Sequence, residues 1–403
     1  MTLNHLPLRV FKCSPTSVHF DSPSPSSSKH IIIDTQTRSA LQTATEELLR
    51  DQVVVFPTET VYGLGANALN AAAVQRIFSA KGRPSDNPLI AHVSDLQMLH
   101  TLLPSDFVLP KTYGRMIDAF WPGPLTLIFP ADPTVVPSIT TAGHPTVAIR
   151  MPSHPIARAL IAISGVPLAA PSANTSGSPS PTRAIHVERD LGARGKVGVI
   201  LDGGPSDVGL ESTVVDGLGA DGNLRILRPG GVTVEQIERV VGPETKILVH
   251  QRDYADKALE DAPTTPGMKY RHYSPGVPVV LLFPVPASGS SPAGEELQTV
   301  IGSFMSNTTS GPRKIGLLLL DDSPLRGAIN ALDIPPVHTL IHHSLGSIHE
   351  PAQAAHNLFH GLITLEQDGA DMIFVEAVDE TKEGLAVMNR VRKAALHTRQ
   401  IRL

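Results

Sequence analysis

Two cations set two residues apart on a proline-braced loop are the first sign of chemistry in this chain. The stretch KGRPSDNPL, residues 81–89, carries Lys81 and Arg83 where a helix runs out, and Pro84 and Pro88 stiffen the loop beyond them. Such a loop loses little conformational entropy on binding, which suits it to clamping an anion. A solvated helix end is the plain alternative, since cations also favour the negative end of a helix dipole. Asn87 and His92 come at short spacing after the cations and add convergent polar groups that a bare helix end does not need.

Three further clusters carry polar chemistry. PTETVYGLG (57–65) succeeds an apolar run, so Thr58, Glu59 and Thr60 emerge at the C-terminal end of a strand, where α/β sheets place their sites. Gly63 and Gly65 would let backbone N–H groups approach a ligand, or simply serve a turn. PSANTSGSPSPT (171–182) brings Ser172, Asn174, Thr175, Ser176, Ser178, Ser180 and Thr182 together, hydroxyls that suit phosphate and ribose oxygens but also suit an ordinary loop. Arg150 in TVAIRMP, Glu211–Ser212–Thr213 and Arg228 in LRPGG form the last group. An arginine at the end of an apolar strand needs an acid or a ligand, and a structural ion pair is the alternative to a binding role.

Composition narrows the classes. The 403 residues exceed one ordinary core and fit two domains. A net charge of -5 and 4% aromatics argue against a bulk nucleic-acid binder. Cys13 is the only cysteine, which excludes intrachain disulfides and CxxC zinc sites. No apolar run approaches the ~20 residues that span a bilayer. Neither GxGxxG nor GxxxxGK[ST] is present, and no Ser-His-Asp order or HExxH stands out.

The positioning elements emerge from periodicity. HIIID, VVVF, LIAHV, LTLIFP, TVAIRM, PLAA, VGVILDG, STVVDG and LRILRPG read as strands; Leu41, Ala44 and Leu48, then Val74, Ile77 and Phe78, mark helix faces. Strands outnumber helices and several are joined by short turns, which predicts a mixed α/β sheet. The Ser/Pro-rich residues 1–29 read as a disordered tail, with a transit peptide as the sharper alternative because Arg9 and Lys12 sit among apolar residues. Residues 30–242 form a first domain and 243–275 an extended linker. In 276–403, VPVVLLF, KIGLLLL and DMIFVEAV are strands, and Ala355, Leu358, Phe359 and Leu362 face one way on a helix. The Ser/Gly/Pro-rich 284–312 reads as a surface insertion.

FPTETVYGLG, KGRPSDNPLIAHV, FWPGPLTLI, VAIRMP, PLAAPSANTSGSPSPT, ESTVVD and ILRPGG, in this order, resemble the YrdC-type threonylcarbamoyl-adenylate synthases. TPGMKYRHYSPG and EGLAVMNRVRKAA resemble the long, two-domain form of that family. The resemblance implies a twisted mixed-sheet domain with a large concave cavity and a smaller Rossmann-like C-terminal domain. It also implies a nucleotidyltransferase that joins L-threonine, bicarbonate or CO2 and ATP, with Mg2+ carried on the ATP and no protein metal site. The product would pass to a tRNA threonylcarbamoyl transferase complex acting on tRNAs that read ANN codons, without stable tRNA binding, in the cytoplasm and with a mitochondrial pool as an option. Carried over by motif, Thr60, His92, Arg150, Ala170 and Ser212 would hold threonine. Lys81 and Arg83 would act on the phosphates; Arg83, Asn87, Thr146, Ser172, Ser180, Arg228 and Tyr273 would hold ATP; Lys269, Tyr270, Arg271 and His272 would form a lid. An RNA-binding module of the same fold is the alternative.

Overall fold

A computed structural model describes residues 7–20, 31–265, 272–285, 294–306 and 312–403. The chain divides into two compact units, 1–176 with 180–270, and 271–403 with 177–179.

Among the described residues, thirteen strands belong to the first unit. They are β1 (Arg9–Lys12), β2 (His19–Phe20), β3 (Ile31–Ile32), β4 (Val54–Phe56), β5 (Gly63–Asn67), β6 (Ile90–His92) and β7 (Leu125–Pro130). Then come β8 (Thr146–Arg150), β9 (Leu168–Ala169), β10 (Val199–Asp202), β11 (Thr213–Asp216), β12 (Leu224–Arg228) and β13 (Ile247–Val249). Eleven of these form one sheet in the order β1-β10-β4-β5-β9-β6-β8-β7-β11-β12-β13, while β2 and β3 pair by themselves. Parallel and antiparallel neighbours are mixed through it, as the short connections predict. Helices Thr35–Leu49 and Pro155–Ser164 bury Leu41, Ala44 and Leu48 and Ile156, Leu160 and Ile161 against Val54, Phe56, Leu168 and Leu201. Asp34 starts the first of these helices by accepting the N–H groups of Gln36 and Thr37.

In PTETVYGLG the glycines serve packing. Gly63 and Gly65 lie in β5 opposite β4, and a Cβ on Gly65 would stand 2.5 Å from a ring carbon of the buried Phe56. The second unit holds β14 (Val279–Val285), β15 (Glu295–Glu296), β16 (Lys314–Leu320), β17 (Thr339–Gly346), β18 (Met372–Glu376) and β19 (His397–Arg402). All pairings in its sheet, ordered β15-β19-β14-β18-β16-β17, are parallel. A parallel strand buried on both faces explains the unbroken apolar run of KIGLLLL. Helix Pro351–Gln367 buries Ala355, Leu358, Phe359 and Leu362 as its spacing predicts. No helix among the described residues is long and apolar enough to cross a membrane.

Three sequence expectations need correction. Residues 7–20 are not a disordered tail: β1 pairs in parallel with β10, and Cys13 and Val18 are buried in the first unit's core. The cations behind the transit-peptide alternative have partners, Arg9 with Glu47 at 2.9 Å and Lys12 with Asp202. Composition misses this because the pairing strand lies far along the chain. Residues 243–265 are not all linker, since β13 extends the large sheet and helix Lys257–Asp261 comes after it. Within 284–312, helix Leu297–Ser306 buries Leu297, Val300 and Ile301 in the second core, a helical spacing masked by its Ser/Gly/Pro flanks.

Deleting residues 1–13 should therefore cost the first unit roughly 2–4 kcal/mol, the order set by uncovering one or two apolar side chains. Urea unfolding reads this; an unchanged midpoint would restore the free-tail expectation.

Candidate active site in the first unit

The strand register builds the site. His92 at the end of β6 stands beside Arg150 at the end of β8, and Arg150 stands beside Thr126 of β7. Thr126 is paired with Val214 of β11, and Val214 with Arg228 at the end of β12. One row across five strands thus carries a histidine, two arginines and a threonine. Two residues along, the next row on the same face is apolar, with Ile90, Ala148 and Ile128 in one cluster.

Arg150 is out of water and held on three sides. Its Nε donates to the Gly123 carbonyl at 3.2 Å, one terminal nitrogen to Thr60 Oγ1 at 2.8 Å, and the other to Glu59 Oε1 at 2.5 Å. Five N–H groups less these three leaves one on each terminal nitrogen. Burial works against the Glu59 carboxylate, yet the Arg150 charge and hydrogen bond prevail and hold its pKa below the usual value. The structural ion pair foreseen as an alternative is therefore present. Thr60 Oγ1 also lies 2.8 Å from Thr58 Oγ1, so the TET triplet is locked by its own hydroxyls. Burial and the neighbouring Arg150 charge lower the His92 pKa to about 3, which keeps the imidazole neutral. Ser212 Oγ sits 2.7 Å from Thr126 Oγ1, and Arg228 donates to the Ser212 carbonyl at 2.9 Å and hydroxyl at 3.2 Å.

The cation clamp has a different character. Helix Ala71–Lys81 ends on Gly82 in the left-handed conformation, φ 62°, which lets the chain turn out at once. Lys81 is buried, and its ammonium donates to the carbonyls of Ser172 and Asn174. Burial first, then the Arg83 charge, pushes its pKa well below the usual lysine value, against a weaker upward pull from Asp190 and Glu211. Arg83 donates to the carbonyls of Asn87 at 3.2 Å and Pro88 at 2.9 Å. Asn87 Oδ1, Thr146 Oγ1 and Ser176 Oγ are buried without a protein partner among the described residues.

The hydroxyl loop closes against the same region. Ser172 bridges to Gly63 and donates to Asn174 Oδ1, while Ser180 donates to Glu211 at 2.6 Å. Ala170, at the end of β9, donates its N–H to the Ile90 carbonyl. Thr146 opens the strand that Arg150 ends, about 13 Å away at ordinary strand rise. The candidate residues are therefore spread along the sheet, wide enough for two ligands.

Five of the expected residues lie outside the first unit or outside the described residues. Tyr273 lies in the second unit, where its ring stacks on Phe359 at 5.3 Å and Arg390 stands 5.7 Å over it. His272 is in that unit too, and Lys269, Tyr270 and Arg271 lie outside the described residues. Sequence reasoning passed over Thr126, although a threonine inside the apolar strand LTLIFP was a signal. It also missed Asp190, which accepts Thr175 N–H at 2.7 Å and its hydroxyl at 2.6 Å and had no local signature.

Glu59→Ala should destabilise the protein by about 3–5 kcal/mol by stranding a buried guanidinium, with Glu59→Gln milder; urea unfolding measures both. His92 gives a pH dependence. Its folded pKa, about 3, lies below the ordinary 6.5, so the unfolded chain binds the extra proton and stability falls as pH drops from 6.5 toward 3. His92→Gln should flatten that part of a stability–pH curve; an unchanged slope would place the dependence elsewhere.

Comparison with known proteins supplies the family. The Sua5/YciO/YrdC profile, described as "Telomere recombination", matches residues 46–230, and that of the threonylcarbamoyl-AMP synthase C-terminal domain matches 232–396. Threonylcarbamoyl-AMP synthase of Bacillus subtilis is 44% identical over 86% of this chain and 91% of its own length. The Schizosaccharomyces pombe protein of that name is 43% identical over 89% of each chain. The crystal structure of Pyrococcus abyssi Sua5 complexed with L-threonine aligns at a TM-score of 0.76 and 36% identity, over 98% of this chain and 99% of that one. A buried threonine–arginine–histidine row beside a lysine–arginine clamp, on a chain this similar along its whole length, places the protein in the threonylcarbamoyl-AMP synthase family.

Proposed function

We propose that this chain converts L-threonine, CO2 or bicarbonate, and ATP into threonylcarbamoyl-AMP and pyrophosphate, supplying a donor for tRNA modification. Lys81 carries the proposal. A buried ammonium that meets only carbonyls, next to a second cation, is costly unless an anion joins it. A bound triphosphate would restore the charge that burial now opposes in Lys81.

The chemistry asks for positioning more than for covalent help. The threonine amine adds to CO2, or to bicarbonate with loss of water, and sheds a proton to give a carbamate. A carbamate oxygen then attacks the α-phosphorus of ATP, and the bond to the pyrophosphate oxygen breaks. Arg150 has one N–H left on each terminal nitrogen, which suits a bidentate grip on the threonine carboxylate. Thr60, neutral His92, Ser212 and the backbone at Ala170 would complete that subsite. Lys81 and Arg83 would meet the charge that builds on the leaving pyrophosphate, with Asn87, Thr146, Ser172, Ser180 and Arg228 along the nucleotide. The carboxylates on this side are already engaged, Glu211 by Ser180 and Asp190 by Thr175. That donor set fits Mg2+ arriving on the triphosphate and keeping its waters. Transfer of the product to a tRNA threonylcarbamoyl transferase, in the cytoplasm and in a mitochondrial pool, extends the same reading. Residues 269–272 would form the lid and Tyr273 would join the nucleotide contacts, as the sequence motif implies.

Pyrophosphate release from MgATP should require both L-threonine and bicarbonate. Lys81→Ala and Arg83→Ala should each lower kcat by about 10²–10³-fold while thermal unfolding stays in place. Wild-type rates from both variants would overturn the clamp; tight tRNA binding without pyrophosphate release would favour the RNA-binding alternative.

A further inference from the structure

A basic concavity lies apart from the residues assigned above. A cavity of about 420 Å³ opens between β1, the exit of helix Thr35–Leu49, helix Ala71–Lys81 and the turn that leads into β10. Arg9, Arg76, Arg194 and Lys196 line it against a single carboxylate, Glu47. Glu47 is already shared, 2.9 Å from Arg9 and 3.7 Å from Arg50. Among the described residues neither Arg76 nor Lys196 makes an ion pair, although the whole chain carries a net charge of -5. Arg9 and Arg194 have acids in Glu47 and Asp190, which leaves Arg76 and Lys196 as two like charges on one concavity with no acid between them.

We propose that this cavity is a second anion site, built for a compact polyphosphate of which inorganic pyrophosphate is the simplest. Its size admits a small ligand and its charge selects the class. None of the lining residues is aromatic, so bases have nothing to stack on, and single-stranded nucleic acid is disfavoured.

The cavity is wired to the clamp. Arg194 reaches Asp190 at 3.4 Å, and Asp190 holds the Thr175 N–H and hydroxyl. Thr175 is bonded to Asn174, whose carbonyl receives Lys81, and Ser176 donates its N–H to the Lys81 carbonyl at 2.9 Å. An anion that draws Arg194 from Asp190 therefore acts on the loop that seats Lys81. The site does not depend on adenylate synthesis, and pyrophosphate, a product of that reaction, would signal through it.

Calorimetric titration of the full chain with inorganic pyrophosphate tests this, using Arg83→Ala as background to weaken binding at the clamp. Adding Arg76→Glu and Lys196→Glu should weaken the remaining binding by roughly tenfold or more, the effect of losing one good charge contact or better. The same pair in the otherwise wild-type chain should leave basal pyrophosphate release unchanged, because neither residue belongs to the clamp. If the reversals shift the thermal midpoint, Arg76→Gln with Lys196→Gln reads the same effect. Equal pyrophosphate affinity with and without these changes overturns the proposal. So does a loss confined to binding of a short RNA, titrated in parallel, which would assign the cavity to a phosphodiester backbone.

Discussion

The buried pair between Arg150 and Glu59 is the constraint around which the first unit is arranged. Both groups are out of water at 2.5 Å, where a missing partner would be far more costly than the pair is worth. Glu59 can serve Arg150 only because VVVF runs straight through Pro57 into the TET triplet. Arg150 can be reached only because β8 ends beside β6. The Glu59 backbone carbonyl also accepts the N–H of Val208, fixing the segment that leads to Glu211 and Ser212. His92 is kept neutral largely by the same burial and the same guanidinium. Threonine recognition, as proposed, uses what this network leaves over.

Lys81 and Arg83 obey a different logic. Backbone carbonyls receive both, and Asp190 and Glu211 act on Lys81 through space. Carbonyls orient a cation without cancelling its charge, so the clamp keeps its attraction for phosphate. The site therefore sets Arg150 against a buried acid and seats Lys81 on carbonyls. That division suits a reaction in which a carboxylate is merely bound while a polyphosphate changes its charge.

The second unit is a parallel sheet with a core of its own, and residues on both faces of β14, β16 and β18 are buried. Glu376, at the end of β18, accepts the Leu320 N–H and the Ser323 hydroxyl, both at 2.9 Å, and burial raises its pKa. Tyr273 stacks on Phe359, with Arg390 over its ring, inside this unit.

The sequence by itself determined the strands and helix faces around the motifs of the first unit, and the motifs that supply the candidate site. Those rest on local physics: β-branched runs extend, apolar residues three and four apart line a helix, and prolines stiffen a loop. KGRPSDNPL, TET and the Ser-rich loop were legible because each motif is contiguous. The tertiary structure decided what is nonlocal. Residues 7–20 look like a tail by composition and become the sheet's edge because β10 offers a free backbone ladder far along the chain. Val300 and Ile301 look like part of an insertion until the parallel sheet gives their helix a surface to cover. Only the packed fold could show that Arg150 meets Glu59 while Lys81 meets carbonyls. A charge in a sequence does not reveal its partner, and burial then decides what that charge is worth.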